Sequence, residues 1–204
     1  MMQSIVEISR QARACRICEP VLPHGVRPVF QVSAQAPILI AGQAPGRRVH
    51  ASGIPFDDPS GDRLRQWLGV DKATFYDPDC FAIVPMGFCY PGTGKSGDLA
   101  PRKECAVTWR EQMLSALTGL ELNLLIGQYA QAWHLGKSDQ NLTERVKGWR
   151  SYYDVLPGQI RNLPLPHPSP RNNLWLKRNP WFEEELVPEL QRTVALLLNK
   201  KRAP

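Results

Sequence analysis

The stretch "PILIAGQAPGRRVHASGIPFDDPSGDRLRQWLG" (residues 37–69) reads as a strand, a long loop and a helix, in that order. Its first six residues are a compact apolar run ending in glycine, the pattern of a strand buried on both faces that feeds a loop. Leu64, Trp67 and Leu68 share one helical face, Ser60 can cap that helix, and Gly69 marks its end. "FAIVPM" (81–86) and "LNLLIG" (122–127) repeat the strand pattern, and "IRNLPLPHP" (160–168) is a weaker fourth copy interrupted by prolines. Helices are predicted over 103–118 and 128–135. Another is predicted after Asn179-Pro180, where Leu186, Leu190, Val194 and Leu197 share a face and Pro188 introduces a kink. Alternating buried strands and helices predict an α/β fold: a mostly parallel sheet covered on both faces, with functional loops at the carboxyl ends of its strands.

A chain of 204 residues, 43% hydrophobic and 22% charged, is expected to form one domain over 1–204 with a sizeable core. Its net charge of +6 favours a polyanionic partner. No apolar run approaches the roughly 18 residues that span a bilayer. "MMQSIVEISRQARAC" also lacks the continuous apolar stretch of a signal peptide, so a cytoplasmic protein with no membrane contact is expected. Ile5, Ile8 and Ala12 fall at helical spacing and deliver the chain to "CRIC". The tail "NKKRAP" (199–204) is expected to fray.

Two nucleotide motifs fail. "GTGKS" (92–96) suggests a phosphate-binding loop, but the first glycine of that motif falls on Cys89, and "GDLAP" does not start a helix promptly. "GQAPG" lacks the G-x-G-x-x-G pattern and puts Pro45 where close backbone approach is required.

The five cysteines carry more. Cys15 and Cys18 form C-x2-C, and Cys89 and Cys105 bracket fifteen residues of a glycine- and proline-rich loop. Four thiolates in this arrangement can close a metal site over the segments 1–36 and 89–105, holding zinc or an iron-sulphur cluster, and individually buried thiols are the alternative. Such a staple would fix a loop with few apolar groups of its own. Cys80, at a strand start, reads as a core thiol.

Four features in order resemble the uracil-DNA glycosylase superfamily, most closely its iron-sulphur class, family 4. They are the C-x2-C and C-x15-C pairs, "GQAPG" against a usual G-E-A-P-G, "GIPFDDPSG" against G-x-P-F-x-x-x-x-G, and "HPSP" (167–170) against H-P-S. The resemblance implies a three-layer α/β/α sandwich around a four-stranded parallel sheet. It also implies a cluster of the 4Fe-4S type held by Cys15, Cys18, Cys89 and Cys105, with zinc the less favoured occupant. The implied activity is hydrolysis of the N-glycosidic bond of uracil or a related deaminated base in DNA after base flipping, by a monomer.

By the same resemblance Phe56 stacks on the flipped base and His167 hydrogen-bonds the base oxygen where charge develops. Gln43 positions the water, and backbone amides of Gly42 to Ala44 add donors. Ser169 binds a DNA phosphate, while Arg171, Asn172 and Asn173 enter the gap left by the base or track the minor groove. Arg47, Arg48, Lys177 and Arg178 are further candidate phosphate contacts. Two positions depart from the family pattern. Gln43 replaces a glutamate and cannot take a proton from water as a carboxylate does. Pro85 stands where a base-reading asparagine is usual. Asp57, Asp58 and Asp98 are the carboxylates that could compensate, although Asp58 or Asp62 can equally serve the next helix. The alternative implied by these departures is a DNA-binding or damage-sensing relative with little hydrolysis.

Overall fold

The computed structural model describes residues 3–95 and 97–202. Four strands form the central sheet: β1 (Ile38–Ala41), β2 (Phe81–Ile83), β5 (Leu122–Ile126) and β6 (Arg161–Leu165). A separate antiparallel pair, β3 (Thr93–Gly94) and β4 (Gly97–Asp98), forms a short hairpin. The sheet order is β2-β1-β5-β6 and every pairing is parallel. All four predicted strands are therefore present, each within the apolar run that predicted it.

Burial on both faces explains those runs. Ile38 and Ile40 face one side with Phe81, Ile83, Leu122 and Leu124, against Leu64, Trp67 and the C-terminal helix residues Leu186, Leu190 and Val194. Leu39 and Ala41 face the other with Ala82, Val84 and Leu125, against Ile8, Ala12, Met113 and Leu117. The result is the predicted α/β/α sandwich. Cys80 is buried in the first of these clusters.

Several helical boundaries differ from the sequence reading. The helix Pro59–Leu68 is capped by Asp58, whose carboxylate accepts from Gly61 N–H at 2.9 Å, and not by Ser60. Pro59 occupies the first helical position, where its missing donor costs nothing, and this moves the cap one residue ahead of the proline. Gly69 adopts the left-handed conformation that ends this helix, as predicted. The 103–118 prediction resolves into Lys103–Cys105, a π-helical Ala106–Arg110 and Glu111–Ser115. The C-terminal helix accommodates Pro188 by a wide π-helical stretch, Phe182–Leu186, immediately before Val187–Arg202. That last helix runs through Arg202, beyond the residue at which fraying was expected, and Lys200 pairs there with Glu121 at 2.9 Å. Among the described residues no helix is long and apolar enough to cross a membrane.

Candidate active site

The chain leaves β1 to one side to form β2 and later returns on the other side to form β5. Such a switch in direction opens a crevice at the carboxyl end of the middle strand, because the two following loops diverge there. Residues 42–46 follow β1, and the segment after β2 continues alongside them: Met86 N–H donates to Gly42 O at 2.8 Å and Gly87 N–H to Gln43 O at 2.9 Å. His167 follows β6. Together these loops and the β3–β4 hairpin wall a pocket of about 600 Å³. Gly42, Gln43, Ala44, Phe56, His167, Ser169 and Arg171 all line it, as do Arg47, Arg48, Asp58, Pro85 and Asp98.

Phe56 is held there in a strained backbone conformation by its surroundings. Its φ of 53° is the sole positive value for a non-glycine residue among those described. Gly61 makes that conformation possible, because a β-carbon at position 61 would lie 1.8 Å from the Phe56 carbonyl oxygen. Tyr76 fixes the same turn by donating its hydroxyl to Pro55 O at 3.0 Å. The half-buried ring meets Phe75 edge-on at 6.2 Å and its tip lies over Gly42.

His167 receives a hydrogen bond on Nδ1 from the Ser169 backbone N–H at 3.2 Å. Burial lowers its pKa below 6.5, and Asp58 and Asp98 oppose that shift. The ring is therefore neutral near pH 7. With Nδ1 accepting, its proton sits on Nε2, which makes Nε2–H a preorganised donor.

Gln43 is oriented by donating Nε2 to Leu99 O at 2.9 Å. Its Oε1 accepts from no described residue, so this oxygen is left to hold a water. The Ser169 hydroxyl oxygen accepts from Arg171 N–H at 3.2 Å, which leaves its own hydrogen for a phosphate. Ser169, expected to contact a phosphate, and Arg171, expected in the gap left by the base or along the minor groove, line the same pocket. Asn172 donates to His167 O at 2.7 Å, and the exposed Asn173 accepts from Arg63 at 2.7 Å. Lys177 and Arg178 are exposed on the helix Asn173–Arg178, outside the pocket. Asp57 also lies outside the pocket wall.

Two arginines escape the sequence reading. Arg63 donates to Ser169 O at 3.0 Å as well as to Asn173, and so ties the His167 loop to the helix Pro59–Leu68. Arg110 is completely buried. It donates to Val84 O and, at 3.0 Å, to Pro85 O, and its other terminal nitrogen donates to His134 Nε2 at 2.8 Å. Its guanidinium also lies 4.8 Å from the centre of the Trp133 ring. The arginine thus braces the carbonyls beneath the pocket wall at Pro85. A helix-face basic residue carries no sequence signal for such a role.

The four cysteines expected to act together do line one cavity, with Ile17, Phe88, Arg102, Glu104 and Trp109 around them. All are free thiols. Phe88 N–H donates to Cys105 Sγ at 3.2 Å, the Arg27 backbone to Cys89, and the Arg102 side chain to Cys18. Sulphur atoms collecting N–H donors suit thiolates more than thiols. Burial pushes the Cys18 and Cys89 thiols up and Cys105 up to about 12. Among the described residues no group of three or more His, Cys, Asp or Glu is drawn into a formed metal-binding arrangement.

The pocket, its neutral histidine and its strained phenylalanine fall within the part of the chain that a known family describes. The sequence model of the uracil DNA glycosylase superfamily matches residues 29–191. The chain belongs to the uracil DNA glycosylase superfamily.

Proposed function

We propose that this chain is a DNA base-excision glycosylase that hydrolyses the N-glycosidic bond of uracil or a related deaminated base. The observation that carries the reading is the convergence of Phe56, His167 and Gln43 on one pocket at the sheet's switch point. A base in a duplex cannot reach such a pocket, so the nucleotide is extruded, and a damaged or mispaired base costs least to unstack. Phe56 then supports the base face. His167 Nε2–H donates to the carbonyl oxygen of the leaving base as negative charge builds there, in a site already organised for that charge. Gln43 Oε1 orients the attacking water. Arg47, Arg48, Arg171 and the Ser169 hydroxyl contact the flanking phosphates, in keeping with the net charge of +6.

The reading extends to the iron-sulphur class. Cys15, Cys18, Cys89 and Cys105 line one cavity and three of their sulphurs receive N–H donors, so the donor set fits an iron-sulphur cluster of the 4Fe-4S type. A bound cluster would supply a covalent pin between the N-terminal segment and the two ends of the 89–105 loop. Anaerobically purified protein is then expected to be brown with broad visible absorbance. A colourless protein carrying zinc would contradict the cluster assignment.

The experiment for the activity is a panel of single- and double-stranded oligonucleotides bearing uracil, hypoxanthine or xanthine, treated with the protein as a monomer and then with alkali. Cleavage at the modified position is expected. Salt-sensitive binding with no cleavage anywhere in the panel would favour a damage-sensing protein instead, a reading suggested by Pro85, which offers the base no side-chain hydrogen bond.

A further inference from the structure

Gln43 can orient a water but has no means of taking its proton, so the pocket needs a carboxylate from elsewhere. Among the described residues two aspartates line it, Asp58 and Asp98. Asp58 is engaged: its carboxylate caps the helix Pro59–Leu68 by accepting from Gly61 N–H at 2.9 Å. Asp98 is the exposed end of the β3–β4 hairpin, in the glycine-rich run that fails as a phosphate loop.

That hairpin is bonded to one half of the site and lies against the other. Gln43 donates to the carbonyl of Leu99, the residue next to Asp98. Asp98 Oδ2 lies 3.4 Å from the place a β-carbon on Gly46 would take, so the bare glycine leaves this oxygen open toward the loop after β1. Thr93 Oγ1 reaches Asp98 Oδ1 at 3.4 Å and is itself hydrogen-bonded to Tyr90. On the far side, Arg171 Nη1 lies 2.9 Å from the position a β-carbon on Gly97 would occupy. The hairpin therefore sets Asp98 between the Gln43 loop and the His167 loop.

We propose that Asp98 is the general base of the reaction: with Gln43 it holds the hydrolytic water and accepts its proton. The role rests on the glycosylase reading above. The water oxygen bonds to C1′ of the deoxyribose while the N-glycosidic bond breaks, and that electron pair leaves with the base. Asp98 takes the proton released by the water. The base leaves as an anion held by His167 Nε2–H and acquires a proton from solvent, while Asp98 returns its own proton to solvent. The products are a free base and an abasic site with a C1′ hydroxyl, one water having been added. Before proton transfer, the Asp98 carboxylate also faces the positive charge that develops on the sugar.

Two measurements on the 204-residue chain test this. Asp98→Asn, Asp98→Glu and wild type are compared in single-turnover excision, with melting curves to confirm folding. Their binding is compared on DNA carrying a cationic pyrrolidine or a neutral tetrahydrofuran in place of the target deoxyribose. Asp98→Asn is expected to slow excision by about 100-fold or more, with Asp98→Glu recovering part of the rate. It is also expected to weaken pyrrolidine binding about 10-fold while leaving tetrahydrofuran binding within about twofold, since it removes only a charge opposite the sugar cation. If wild type excises base and Asp98→Asn matches it in rate and in the ratio of the two affinities, Asp98 is not the base and the glycosylase reading stands. If wild type excises no base from any DNA in the panel, the glycosylase reading and the role of Asp98 both fall.

Discussion

The Ser169 backbone N–H donates to Nδ1 of His167 at 3.2 Å, and this one bond fixes which imidazole nitrogen carries the proton. A neutral ring with Nδ1 accepting must carry its proton on Nε2, and the residue lines the pocket. Burial keeps the ring neutral by lowering its pKa below 6.5. In the proposed mechanism, this donor's interaction strengthens as the departing base gains charge. His167→Ala is expected to reduce single-turnover excision by about 100-fold or more while changing DNA affinity by less than about threefold. Equal losses in rate and affinity would show that His167 only binds the substrate.

Phe56 and Gly61 form a single unit. The phenylalanine can hold its φ of 53° only while nothing projects from residue 61 toward its carbonyl oxygen, which a β-carbon there would approach to 1.8 Å. Gly61→Ala must move the loop or the helix start, and a destabilisation of about 1–3 kcal/mol is expected in urea unfolding, together with weaker binding of base-containing DNA. Unchanged stability would show that the turn relaxes at no cost.

Arg110 braces the backbone under Pro85 from a fully buried position. Arg110→Met removes the charge but leaves the Val84 and Pro85 carbonyls without their donor. The net loss expected is about 2–4 kcal/mol, or roughly 5–15 °C in thermal melting. A melting temperature within about 2 °C of wild type would show that Arg110 does not support the pocket wall.

His134, the acceptor for Arg110, supplies a pH dependence. Burial, and then the Arg110 charge, lower its pKa from 6.5 to about 3. Between those values the unfolded chain binds a proton that the folded chain does not. The contribution is fully present above about pH 6.5 and is lost as pH falls toward about 3, with a slope of up to about 1.4 kcal/mol per pH unit. His134→Gln keeps an acceptor for Arg110 without the titration, so its stability is expected to fall less steeply over that range in urea unfolding measured at several pH values. Identical slopes would show that His134 does not titrate with unfolding.

The four strands are legible in the sequence because parallel strands buried on both faces must be continuous apolar runs, and Ile38–Ala41 and Leu122–Ile126 are little else. The pocket residues are legible because the short motifs around Gln43, Phe56 and His167 fall on loops at the carboxyl ends of strands, where α/β sheets place their sites. The cap of the helix Pro59–Leu68 is harder to place, because Ser60 is as good a capping type as Asp58 and only the position of Pro59 separates the two. The short helices Leu142–Lys147 and Arg150–Tyr153 are too short to display a periodic apolar face, and the Asn141–Glu144 capping box is the one local mark of the first. Arg63, Arg110 and the strained backbone of Phe56 cannot be read at all. Each depends on contacts between residues that only the folded chain brings together, such as Arg63 with Ser169 and Arg110 with Pro85.

N-glycosidic hydrolysis is tested at its source by incubating the protein with uracil-containing DNA and analysing the reaction before any alkali is added. Free uracil is expected to appear in step with alkali-labile sites, with the strand itself intact. Strand breakage without base release, or no free base from DNA that the protein binds, would contradict N-glycosidic hydrolysis as its activity.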